Sequence, residues 1–211
     1  MNQLAQTLAK PLVALLRLLS RYGTKFLLVE LGDDNPHIRM PQLSPGYTIQ
    51  AMTPIELLPW ADTEHDLTAD FLRRAEAQGD RCVANFFADD LVGYGFVTAS
   101  QAPLNGQVSV RVNNHLLYRY KGWTHPDHRR RHLSHARGRL NSKLFPHQPG
   151  QRMVSYVEAQ NLPARLTHTD VHPVRLGYCA IVRLLGRSII YNSRTATRFG
   201  FRLIHHSNPE D

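Results

Sequence analysis

The chain has 211 residues, enough for one ordinary domain with a sizeable core and an added segment, and short for two full domains. Its 42% hydrophobic content beside 20% charged residues excludes a disordered chain, and the two cysteines, Cys82 and Cys179, stand too far apart to suggest a disulfide framework or a cysteine-built zinc site. Lys and Arg outnumber Asp and Glu by 25 to 17, a formal charge of +8, so an anionic partner or substrate is expected.

Leu4, Leu8, Leu12, Leu15, Leu16 and Leu19 recur every three to four residues with Lys10, Arg17 and Arg21 between them. That spacing predicts a basic amphipathic helix over residues 1–22, interrupted at Pro11. Its apolar part, residues 12–19, is broken by Arg17 and falls far short of the roughly 18 residues that span a bilayer. No small-residue cleavage site follows a clean apolar run, which argues against a secretory signal. The stripe can pack on the domain, pair two copies in a homodimer, or lie on acidic lipid, and packing is the preferred reading. The expected location is cytoplasmic, at the inner face of the membrane if residues 1–22 bind lipid.

Residues 25–31 (KFLLVEL) read as a strand closed by Gly32-Asp33-Asp34-Asn35-Pro36, and a Pro-rich connector follows to residue 45. The expected division is an extension over residues 1–45 and one domain over 46–211. Within that domain 47–52 alternates as a strand, and 54–60 and 67–78 read as helical. Residues 81–87 and 91–100 form a hairpin around Asp89-Asp90, the second arm carrying Gly93 and Gly95. Leu104-Asn105-Gly106 marks a turn, 108–112 and 116–124 are strands, 133–145 a helix and 153–159 a strand. A short helix is expected over 163–174, with short strands or turns at 178–184, 188–192 and 199–204.

The stretch Tyr118 to Leu140, YRYKGWTHPDHRRRHLSHARGRL, carries the chemistry. A strand runs to Pro126, a turn holds Arg129, Arg130 and Arg131, and a helix starts at Leu133. Backbone N–H groups in such a turn, together with the positive end of the helix dipole, cradle an anion, and phosphate is the expected guest. A solvated charge run and a nucleic-acid patch are the alternatives; the cradle is preferred because the basic turn follows a strand inside an alternating pattern. His125, His128, His132 and His135 cluster nearby, yet Pro126 interrupts them and no carboxylate or cysteine completes a metal site, so surface or hydrogen-bonded histidines are expected and no metal.

The order of elements and motifs over about residues 47–204 resembles the GCN5-related N-acetyltransferase family. That family's signature places Arg or Gln, two residues, Gly, one residue, then Gly or Ala, shortly after a strand-ending Pro. Arg129 matches the first position, His132 stands at the first Gly and Ser134 at the second. Glu158 near the end of the strand 153–159, Asn161 after it, Leu176-Gly177-Tyr178 and Arg198-Phe199-Gly200-Phe201 add to the likeness.

The resemblance implies an α/β fold with a mixed, centrally splayed sheet flanked by helices, preceded here by the amphipathic helix and an extra strand. It implies transfer from acetyl-coenzyme A or another acyl-CoA to the amine of a small molecule or peptide, by direct attack. Donor contacts would come from Trp123, Thr124, His125, Arg129, Arg130, Arg131, His132, Leu133, Ser134 and Asn161, with a backbone amide in Trp123–His125 polarising the thioester. Glu158 would be the general base, and Tyr178, His168 or His172 the acid that protonates the thiolate. A structural ion pair of Glu158 with Arg152 or Arg165 is the alternative for that residue. The alternative for the whole protein is a non-catalytic binding module with a degenerate coenzyme site, serving nucleic acid or acidic membrane.

Overall fold

The structure is a computed structural model and describes Leu18 and residues 23–32, 41–145, 150–161 and 174–206. Apart from Leu18, which is helical and exposed, the N-terminal helix expected over 1–22 lies outside these residues, as do most of the 32–45 turn and connector, the helix expected over 163–174 except for Val174, which is not helical, and His168 and His172. The expected α/β class is the one found. The described residues divide into two compact units, one formed by those within 41–100 and 114–153, the other by those within 18–32, 101–113 and 154–206.

In the first unit, strands β2 (Tyr47–Met52), β3 (Arg81–Phe87), β4 (Asp90–Thr98) and β7 (Leu116–Thr124) pair antiparallel in that order. Residues 54–60 wind as a 3₁₀ turn rather than an α-helix, with Pro54 at its start and Pro59 inside it. Helix α1 (Ala69–Ala77) starts where Thr68 Oγ1 accepts from Phe71 N–H at 3.2 Å, and buries Phe71, Leu72 and Ala75. Helix α2 (Leu133–Leu144) packs on β2, β3, β4 and β7. Beneath it Val83, Val97, Leu117, Phe145 and Met153 form an apolar cluster.

One irregularity sets the course of β7. Tyr94 faces Trp123 and Phe96 faces Tyr120, so Gly95 alone stands opposite Lys121 and Gly122. Lys121 takes a left-handed conformation (φ 45°) in this bulge. Its ammonium is held 3.0 Å from Asp66 Oδ2, and the extra residue re-aims Trp123 and Thr124 at the strand's C-terminal end.

The second unit contains β1 (Lys25–Leu31), paired antiparallel with both β9 (Arg175–Leu184) and β8 (Arg152–Glu158), and β10 (Arg187–Asn192) outside β9. A smaller sheet joins β5 (Gln101–Pro103), β6 (Val108–Val112) and β11 (Phe201–His205). The strand expected over 199–204 is found as β11, but it starts later: Phe199 ends helix α3 (Arg194–Phe199) and Gly200 (φ 96°) terminates that helix. Ser193 Oγ caps α3 by accepting from Ala196 N–H (3.3 Å) and also accepts from Tyr178 N–H (3.1 Å). Gly177 (φ 151°) passes so close that a Cβ there would come within 2.5 Å of both Ser193 Oγ and Thr195 Oγ1.

Candidate functional site

The turn that follows β7 is built from local bonds. His125 Nδ1 accepts from Asp127 N–H (3.3 Å), Pro126–His128 winds as one 3₁₀ turn, and Arg129 N–H closes on Pro126 O at 3.3 Å. Arg130 (φ 62°) and His132 (φ 57°) then both turn left-handed, a conformation that ordinary residues avoid and glycine adopts freely. His132, which stands at the signature's first Gly position, thus takes a conformation that suits glycine, with its side chain exposed.

α2 begins directly after His132 without a side-chain cap. Its first-turn amides, Leu133 and Ser134 among them, face the turn, and the Ser134 hydroxyl is exposed beside them. Arg129, Arg130 and Arg131 are all exposed. The Arg129 side chain folds back so that Nε donates to Thr124 O (3.2 Å), while the Arg131 guanidinium lies 5.6 Å from the centre of the Tyr47 ring. Tyr47 Oη is 2.8 Å from His128 Nδ1, and the His128 ring stands edge-on to His125 at 5.5 Å. Two members of the histidine cluster are therefore occupied in holding the turn. Among the described residues no group of three or more His, Cys, Asp or Glu converges as a metal would need.

Trp123 stacks on Tyr94 across the strand pair (5.5 Å between centroids, 18° between planes) and touches His65. His125 N–H donates to Val92 O at 3.0 Å and so is not available to a ligand. Alternation along β7 turns the Thr124 amide to the opposite edge, away from β4. Within the stretch Trp123–His125, it is thus the Thr124 N–H that does not point at β4.

Sequence reasoning missed the group beneath this strand end. Arg137, one turn into α2, is 5% exposed. Its Nη1 donates to Asn85 Oδ1 (2.5 Å) and its Nη2 to Thr124 Oγ1 (2.9 Å), and it makes no ion pair among the described residues. Burial lowers its pKa to about 10, so it remains a cation at neutral pH. Gly93 and Gly95 make the room: a Cβ on Gly93 would lie 2.5 Å from Arg137 Nη1. Two glycines at a spacing of two on one strand face were the available signal, since such a pair marks close approach by another group. Cys82 lies beside this cluster, its thiol pushed up to about 12 by burial.

The remaining expected site residues belong to the second unit. Glu158 Oε1 pairs with Lys25 Nζ at 3.0 Å, and its Oε2 accepts from Gln160 Nε2 at 2.6 Å, so its partner is Lys25 rather than Arg152. Asn161 N–H donates to Glu158 O (2.9 Å), and this places Asn161 one tight turn beyond β8. Tyr178 is exposed on β9 with its ring stacked on Tyr191 at 5.7 Å. Tyr191 has its hydroxyl pushed up, chiefly by its hydrogen bond with Tyr178. Cys179 is fully buried, its thiol raised to about 12 by burial, as a packed rather than a reactive cysteine would be.

No protein-family model and no curated protein matches this sequence. Among solved structures, a tandem GNAT protein from the clavulanic acid biosynthesis pathway is similar in fold: TM-score 0.51, 18% identity, covering 74% of this chain and 53% of that one. A Drosophila protein solved by structural genomics is similar with TM-score 0.50 and 11% identity, covering 74% of this chain and 50% of its own. The chain therefore spans about half the length of these two structures. At this level of identity the likeness is one of fold: the chain has the α/β fold of the GCN5-related N-acetyltransferases.

Proposed function

We propose that the protein is an acyl-CoA-dependent N-acyltransferase that carries an acetyl or longer acyl group to a primary amine. One observation carries the reading: the paired left-handed residues Arg130 and His132 lead, straight after a bulged strand, into a helix whose first-turn amides have no side-chain cap. This is a cradle for a phosphate-bearing ligand. The pyrophosphate of coenzyme A fits its donor set, namely the Leu133 and Ser134 amides, the Ser134 hydroxyl and the three arginines at 129–131.

Acyl-CoA would supply an activated thioester. The chain's part is to hold it, to direct the Thr124 N–H at the thioester oxygen, and to take a proton from the attacking amine. In this reading Glu158 accepts that proton, directly or through one water, and gives up its contact with Lys25 as it does so. Leu27 pairs with both Glu158 and Cys179, which sets Tyr178 on the other face of the sheet from Glu158, so the leaving thiolate takes its proton from solvent.

Calorimetry with acetyl-CoA and a longer acyl-CoA tests the donor half. Micromolar binding that is lost in Arg129→Ala is the expected result, and no binding of either donor to the wild type overturns the reading. Glu158→Gln should lower kcat for amide formation while leaving donor affinity unchanged; an unchanged kcat removes Glu158 from the mechanism. The Lys25–Glu158 pair favours the second reading, a binding protein on the same fold, because it gives that carboxylate a structural task. Salt-sensitive binding of nucleic acid or acidic membrane, without binding of either donor, would favour it.

A further inference from the structure

Residues 174–206 contain six arginines and neither Asp nor Glu, against a charge of +8 for the whole chain. Only Arg175 of these arginines meets a carboxylate among the described residues, at 3.5 Å from Glu30 Oε1. The same stretch carries the densest exposed apolar surface of the second unit. Val182 pairs with Ile189 and Leu184 with Arg187 across the β9–β10 hairpin, so with Tyr178 and Tyr191 they share one face. Leu184 (56%), Ile189 (54%), Tyr178 (52%) and Tyr191 (52%) are all exposed there.

The tip of this hairpin is the least expected part. Leu185 and Gly186 (φ 49° and 78°) form a two-residue turn in which both residues are left-handed, a position that favours Asn or Asp before Gly. Leucine there is strained, and at 95% exposure it gains nothing from burial within the chain. Arg183 and Arg187 flank it. An apolar tip between two arginines, on a hairpin with no acid of its own, matches an anionic lipid surface: the leucines enter the headgroup boundary while the guanidinium groups meet lipid phosphates.

We propose that the β9–β10 hairpin is a docking element for anionic membrane, with Leu184 and Leu185 inserted and Arg183 and Arg187 at the headgroups. Two copies of this hairpin would bring Arg187 against Arg187 with no acid of the hairpin to offset them, which disfavours self-association. Nucleic acid would be served by the arginines and would leave the leucine tip in water.

The test is sedimentation with phosphatidylcholine vesicles, with and without phosphatidylglycerol, on the full chain. Wild type should bind only the anionic vesicles. Leu185→Asn suits the left-handed turn, so it should raise thermal stability and still lower vesicle affinity about tenfold. Arg183→Gln and Arg187→Gln should each lower it about fivefold. The proposal is overturned if wild type stays in the supernatant, or if the hairpin variants sediment like wild type while deletion of residues 1–22 abolishes binding. It is equally overturned if Arg187→Gln weakens duplex DNA or RNA binding with no vesicle binding at all. Dimerisation in the ultracentrifuge that Leu184→Ser abolishes, again without vesicle binding, would assign the face to a second copy. None of these outcomes depends on donor binding or amide formation, so the proposal and the acyltransferase reading stand or fall separately.

Discussion

Gly93→Ala and Gly95→Ala put the same methyl group on one face of β4, two residues apart, against the same arginine. At Gly93 the added Cβ would lie 2.5 Å from Arg137 Nη1 and 3.1 Å from Trp123 O; at Gly95 it would lie 3.7 Å from Nε, in ordinary contact. Nη1 is the atom that donates to Asn85 Oδ1, so the guanidinium escapes the clash only by giving up that bond. Trp123 O belongs to a strand paired with β4 and has little freedom. Overpacking costs about 1–3 kcal/mol and a lost bond from a charged donor about 1.5–3 kcal/mol. With relaxation sharing the two, Gly93→Ala should destabilise by about 3 kcal/mol. Gly95→Ala should be neutral or gain about 0.5 kcal/mol from replacing a strand glycine. Urea denaturation followed by tryptophan fluorescence reads both, with m unchanged. In an Arg137→Met background the Gly93→Ala penalty should fall to about 1 kcal/mol or less, because the flexible methionine can yield. Equal effects at the two glycines, or a penalty unchanged by Arg137→Met, would refute the account of Gly93 as space made for a buried guanidinium.

Three further outcomes are expected. His132→Gly should raise stability by about 0.5 kcal/mol, the relief of a left-handed residue less the entropy of glycine, and should leave donor affinity equal or higher; a lower donor affinity would mean that the imidazole itself binds phosphate. Gly177→Ala should destabilise by about 3 kcal/mol in the same assay, since Ser193 Oγ, Thr195 Oγ1 and the Ala196 amide leave no room for a Cβ. Asp80, buried and hydrogen-bonded by Tyr120, has its pKa raised, chiefly by burial, so the folded state holds its proton more tightly than the unfolded one. Its contribution is most favourable below the ordinary carboxylate value of 3.8 and declines as pH rises through the raised value, so the melting temperature of Asp80→Asn relative to wild type should climb across that window.

Most strands were legible because alternation and turn residues agree, as in KFLLVEL for β1 and the Leu116–Thr124 run for β7. The turn after β7 and the helix start beyond it were legible for a related reason: proline, arginines and a helix start follow one another within ten residues, so local sequence determines local shape. What depended on distant partners was not. β5 is three residues long and exists only through pairing with β6. α3, six residues, needs Ser193 as a cap and Gly177 to lie against, neither of which periodicity reveals. Lys25 as the partner of Glu158 follows from β1 lying beside β8, a pairing across more than 120 residues of chain. Nothing local marks Arg137 among the basic residues of its helix, and its burial follows only from Asn85, Gly93 and Thr124 lying against it.

That buried cation distinguishes the cradle from the rest of the basic surface in its response to ionic strength. Counter-ions gather around exposed arginines such as Arg130 and Arg131 and screen them within about 10 Å at 0.1 M salt. They cannot reach Arg137, which is shut off beneath α2 and keeps its charge because no carboxylate among the described residues neutralises it. Through Thr124 it stands directly behind the strand end on which the turn is mounted. An anion seated in that turn therefore feels one positive charge that added salt leaves in place, whereas an anion on the arginine-rich hairpin face feels only charges that salt can mask.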